Sequence, residues 1–137
     1  GGGGAYGYDC FSVTPGTVLT ITINDTGSSV NDLIFSGAGQ PGSHVVDNNH
    51  AAGGLGGSST ASYNISGTDG NNAGKGGNGG NGGGGGNTYS GCGNATTGTF
   101  PGGGGGGGYG YPNCNNGGTK YPSNGKNGGG GQVIIYF

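Results

Sequence analysis

Glutamate, arginine, methionine and tryptophan do not occur in this sequence. Its charge rests on five aspartates and three lysines, for a net charge of −2. Nucleic-acid binding needs a basic footprint, so this composition argues against that class of partner. No apolar run reaches the ~18 residues that suggest a membrane-spanning helix, so membrane insertion is not expected. Val, Ile, Leu and Phe together number 19 of 137 residues, a low apolar content for a globular chain. Leu is scarce and Gly interrupts every stretch, which leaves no segment with a helical pattern. The five prolines and the lack of a sustained Gly-X-Y register argue against collagen. The chain opens at Gly1 with no Met and no signal segment, which suggests a processed or partial sequence.

What the chain has is glycine, 44 residues of it. Residues 74–86 read GKGGNGGNGGGGG, with Asn78 and Asn81 three positions apart. Residues 102–108 are uninterrupted glycine, 128–131 form a third run, and 1–4 a fourth. Glycine loses more backbone freedom on ordering than any other residue, so such runs stay flexible unless something specific offsets the loss. One solution is the polyproline-II helix, with three residues per turn and ~3.1 Å rise. It has no internal hydrogen bonds, so its N–H and C=O groups can bond neighbouring rods. Where the facing residues are Gly, backbones approach closely and form a polyglycine-II bundle. Residues 74–86 then make a rod of about 40 Å. The alternative on composition alone is a disordered array of Gly/Asn-rich linkers.

The rest of the chain predicts strands. Residues 10–23 alternate around the turn Thr14-Pro15-Gly16, with Leu19, Ile21 and Ile23 on one face and Thr20 and Thr22 on the other. Asn24-Asp25-Thr26-Gly27 reads as a turn, and residues 33–35 as a short apolar strand. Residues 36–73 look polar and loop-like. Residues 132–137, QVIIYF, predict a last strand with Val133, Ile135 and Phe137 on one face, pairing near 17–23. The expected fold is one glycine-rich domain over 1–137 without helix. Its core is a polyglycine-II helical bundle from 74–86, 102–108 and 128–131, and its N- and C-terminal strands form a small β-sheet.

Chemistry-bearing motifs are sparse. Cys10, Cys92 and Cys114 are too far apart for a zinc cluster. A Cys92–Cys114 disulfide is the first choice, since both flank the seven-glycine block, and would contribute ~3 kcal/mol. Pairings of Cys10 with either remain open, and an odd thiol suggests either an intermolecular bridge or a buried free Cys. Asn24, Asn64 and Asn94 head glycosylation sequons. His44, Asp47 and His50 are a weak metal pattern without a further ligand. There is no P-loop and no nucleophile elbow, so no catalytic residue, metal or cofactor is assigned. Tyr6, Tyr8, Tyr89, Tyr109, Tyr111 and Tyr121 border glycine tracts. They are read mainly as packing residues at bundle ends and between subunits, with stacking on sugars as the other role.

The order of these parts resembles the glycine-rich domains of phage tail-fibre and tail-tip adhesin proteins. The resemblance lies in the glycine opening, VTPGTVLTITI, PGGGGGGG and the closing NGGGGQVIIYF, with 14–23 and 128–137 its most specific pieces. It implies a polyglycine-II bundle and receptor recognition by distal loops, here 36–73, 87–100 and 109–127. Springtail antifreeze proteins share polyglycine-II packing but lack the terminal strand pattern. The cysteines, and the absence of a basic residue in the last strand, set this chain apart from the phage family and suit a free-standing secreted subunit.

Two uncharged apolar strands in a chain with little other core are sticky edges. Val18, Leu19, Ile21 and Ile23, with Val133, Ile134, Ile135, Tyr136 and Phe137, are therefore expected to join subunits by strand addition. The leading expectation is a non-enzymatic, self-assembling subunit of an extracellular filament. Its partners would be copies of itself, with cell-surface or matrix glycans as further candidates. A phage adhesin on the virion surface is the alternative, and an ice-binding protein the third.

Overall fold

The computed structural model describes residues 1–42, 53–71, 75–86, 95–106 and 126–137. These residues contain no helix and five short strands in two antiparallel sheets. The strands are β1 (Tyr6–Tyr8), β2 (Ile21–Asn24), β3 (Gly27–Val30), β4 (Ile34–Gly37) and β5 (Tyr63–Ile65). β1 pairs with β5, with Tyr6 opposite Ile65 and Tyr8 opposite Tyr63. β2, β3 and β4 form a meander.

Local chemistry sets the meander. The Asn24 Oδ1 accepts hydrogen bonds from the Thr26 N–H at 2.9 Å and the Thr26 hydroxyl at 2.7 Å, which closes the β2–β3 turn. Gly27 has φ +149, and a Cβ there would lie 2.3 Å from the Ser36 carbonyl oxygen of β4. The second turn rests on Asn31, whose φ of 44 is left-handed, a region Asn tolerates better than most residues. The Thr20 N–H donates to Asn31 Oδ1 at 2.7 Å, and the Asn31 N–H donates to the Thr20 carbonyl at 2.8 Å.

The expected strand over 10–23 forms only from Ile21 onward. Asn31 turns the chain away, so β3 offers nothing for Val18 and Leu19 to pair with. The Thr14–Thr17 turn, with Gly16 at φ +90, bends the segment before that. The strand expected at 33–35 forms as β4, with Leu33 left in the turn. The C-terminal strand expected over 132–137 is absent: residues 126–137 carry no strand. β2 instead pairs with β3 through a two-residue turn. That closes a far smaller loop than pairing with a segment over a hundred residues away. The small sheets are thus N-terminal and central, with no C-terminal strand.

Among the described residues no large side chain is fully buried. The buried apolar side chains are Ala61 and Ala95, at 4% and 5% exposure, and every other buried residue described is glycine. Extended segments, joined by backbone hydrogen bonds, surround residues 1–5. Gly2 donates to the Gln40 carbonyl, Gly3 to Thr68, Gly4 to Gly102 and Ala5 to Gly37, at 2.7–2.9 Å. The Gly1 ammonium donates to the Gly105 carbonyl at 2.9 Å, and burial lowers its pKa. Gly77, Gly57 and Gly80 donate to the carbonyls of Gly1, Gly3 and Gly4. Three of these neighbours are met again three residues on: Gly1 and Gly4 bond 105 and 102 and also 77 and 80, and Gly2 and Ala5 bond 40 and 37. The same spacing of three joins Gly67 and Gly70 to Gly57 and Gly54, and Gly76 and Gly79 to Gly86 and Gly83. Backbones lie so close that a Cβ on Gly3 would sit 1.9 Å from the Asn78 carbonyl oxygen, and one on Gly77 would sit 1.8 Å from that of Thr68.

Candidate assembly surface

With the interior filled by backbone, the large apolar side chains lie outside. Val18 is 83% exposed, and Ile21 and Ile23 are about half exposed. Leu19 is half-buried. Ile21 and Ile23 share one face of the meander, opposite Val30 and Ser28 of β3.

The two edges of the meander differ. The β4 edge is covered by residues 58–60: the Thr60 N–H donates to the Phe35 carbonyl at 2.9 Å, and the Phe35 N–H to the Thr60 hydroxyl at 3.0 Å. Ser36 and Ser59 also join there, hydroxyl to hydroxyl at 2.9 Å. The β2 edge pairs with no other strand among the described residues, and all four of its residues are exposed. The Thr20–Asn31 bond fixes the alternation of the ladder. Thr20, Thr22 and Asn24 turn their main-chain groups toward β3, while Ile21 and Ile23 turn theirs outward. Nothing on this edge carries charge, proline or a bulge, the devices that usually blunt an edge strand.

The C-terminal residues lie near this sheet without joining it. Gly131 passes over the face, where a Cβ would come 3.4 Å from Ile23 Cγ2 and 2.6 Å from Ser28 Oγ. Val133 and Ile135 are half-buried, and Ile134, Tyr136 and Phe137 are exposed. No backbone hydrogen bond among the described residues involves 131–137.

Tyr6 packs edge-on against Tyr63 across the β1–β5 pair, ring centroids 6.4 Å apart at 79°. Tyr8 is exposed, with its hydroxyl 3.2 Å from the Cys10 Sγ. That hydrogen bond, more than the nearby charges of Cys10, Tyr6 and Tyr136, raises the Tyr8 phenol above its ordinary pKa. Cys10 is a free, exposed thiol. Of the sequon asparagines, Asn24 uses its carbonyl oxygen in the turn, and Asn64 donates through Nδ2 to the Ala61 carbonyl at 2.9 Å.

Cys92, Cys114, Asn94, Tyr89, Tyr109, Tyr111 and Tyr121 lie outside the described residues, as do His44, Asp47 and His50. Among the described residues no group of three His, Cys, Asp or Glu could hold a metal. Among them, too, no helix is long and apolar enough to cross a membrane.

The structure brings together elements that sequence reasoning kept apart. Residues 53–58 and 66–71, read as loop, are segments hydrogen-bonded through their backbones to residues 1–5 and to each other. Their signal was present as glycines three apart, Gly54 with Gly57 and Gly67 with Gly70. No protein family model matches the chain, and no curated protein or solved structure matches it.

Proposed function

We propose that the chain is a structural, non-enzymatic subunit that assembles with copies of itself into an extracellular filament, and that its glycine segments are polyglycine-II helices. The observation that carries the reading is the hydrogen-bond spacing of three. A rod with three residues per turn and no internal bonds presents each neighbour with a donor at every third residue. Glycine at the contacts, with carbonyls within 2 Å of where a Cβ would lie, fits rods packed closer than any side chain allows.

Self-association is supported by where the apolar side chains are. Val18, Ile21 and Ile23 are exposed on β2 and the residues leading into it, and Ile134 and Tyr136 are exposed on the C-terminal segment, on a chain with little charge to keep copies apart. Contacts between unlike patches on identical subunits build open filaments. Glycans of a cell surface or matrix are secondary candidate partners, through the exposed tyrosines.

Electron microscopy of native material, before any reductant is added, tests this reading. Uniform fibres support it. Discrete particles, or density only at the tip of a phage fibre, would replace it with the adhesin reading suggested by the sequence resemblance. Thermal hysteresis in solution would instead point to ice binding.

A further inference from the structure

We propose that the open edge of β2 accepts the C-terminal segment 132–137 of a second copy as an added strand. The inference rests on the self-assembly reading above and names the contact that would carry it.

Donor and acceptor are complementary halves on one chain. The acceptor is an edge whose outward-facing N–H and C=O groups, those of Ile21 and Ile23, have no partner among the described residues. The donor is a segment of β-branched and aromatic residues, the composition that favours strands. In the subunit it carries no strand and makes no backbone hydrogen bond among the described residues. Six extended residues span about 20 Å, enough to cover β2 and the residues leading into it. Alternation places Val133, Ile135 and Phe137 on one side of the added strand. In register, that side continues the apolar face made by Ile21, Ile23 and Val30.

The tail is free to leave its own subunit. It departs from glycines, and a Cβ on Gly130 would meet no atom within 4 Å. Its own path crosses the sheet face at Gly131, and it makes no backbone hydrogen bond to β2. Because the tail and the edge are different surfaces, each copy can give and receive at once, and the contact propagates.

Two proline substitutions test this in the full chain. Ile23→Pro removes an outward N–H of β2 but no bond to β3. Ile135→Pro spoils the tail, whose backbone bonds nothing in the subunit. Each variant alone is expected to stay monomeric in sedimentation at concentrations where the unmodified chain associates. Mixed one to one, they should form a heterodimer, since Ile23→Pro still donates a tail and Ile135→Pro still accepts one. A second readout does not need the β2 variant to fold. Free peptide QVIIYF, added to the Ile135→Pro chain, should slow amide exchange at Ile21 and Ile23 at least about tenfold.

Association of either variant like that of the unmodified chain would overturn the proposal. So would a peptide that leaves both amides unprotected. If the unmodified chain forms closed rings or dimers while the peptide still protects β2, the filament reading fails and the strand contact stands. If filaments form equally from Ile135→Pro, the contact fails and the filament reading stands.

Discussion

Adding one methyl group at Gly3 should unfold much of this protein. The Cβ of Gly3→Ala would lie 1.9 Å from the Asn78 carbonyl oxygen, a backbone atom that cannot rotate away. Ordinary contact is near ~3.5 Å, so the two segments must separate by about 1.5 Å. That separation disrupts the bonds that join the two segments, from the Gly77 N–H to the Gly1 carbonyl and from the Gly80 N–H to the Gly4 carbonyl, each 2.9 Å. Each buried backbone group left unpaired costs about 1–3 kcal/mol. The expected loss is therefore at least about 3 kcal/mol, a large share of the total stability of a small domain. Gly130→Ala is the control, since its Cβ would meet nothing and its φ is not left-handed. It should be neutral or stabilise by about 0.4–1 kcal/mol, through the unfolded chain. Denaturant unfolding followed by circular dichroism reads both. Equal midpoints for Gly3→Ala and the unmodified chain would refute the claim that backbone contact holds the interior together.

Other expectations follow from single sites. Asn31→Ala should cost about 1–3 kcal/mol, from a left-handed φ without a tolerant residue and from the lost bond to the Thr20 N–H; Asn31→Gly should recover part of that in the same unfolding assay. Tyr8 should ionise above an ordinary tyrosine in an NMR pH titration, and Cys10→Ala should bring it back toward the ordinary value. Because the folded pKa is the raised one, the folded state holds this proton more tightly. Its contribution is complete below the unfolded value near 10 and fades as pH rises through the folded value. Thr22→Pro, which removes a bond to β3 rather than an outward group, should melt the hairpin where Ile23→Pro does not; exchange rates across β3 would show the difference.

Sequence pattern located parts of this fold and missed others for physical reasons. The runs at 74–86 and 102–108 do meet, with Gly104 donating to the Gly77 carbonyl and Gly86 to that of Gly104. β2 and β4 were legible in their β-branched and aromatic residues. β1, β3 and β5, reading YGY, GSSV and YNI, are three or four residues long and broken by Gly, Ser or Asn, so no run of strand-favouring residues marked them. The tail shows the converse: the strongest strand composition in the chain forms no strand, since β3 reaches β2 first through a short turn. The apolar, uncharged character of 18–23 and 133–137 was legible in the sequence. Which of them faces an open edge depended on the parity set by the Thr20–Asn31 bond, which no composition reveals.

X-ray diffraction from aligned native material tests the central claim most directly. Rods of glycine three residues per turn should give a meridional reflection near ~3.1 Å. A dominant meridional reflection near ~4.7 Å, from strands stacked across the axis, would contradict it.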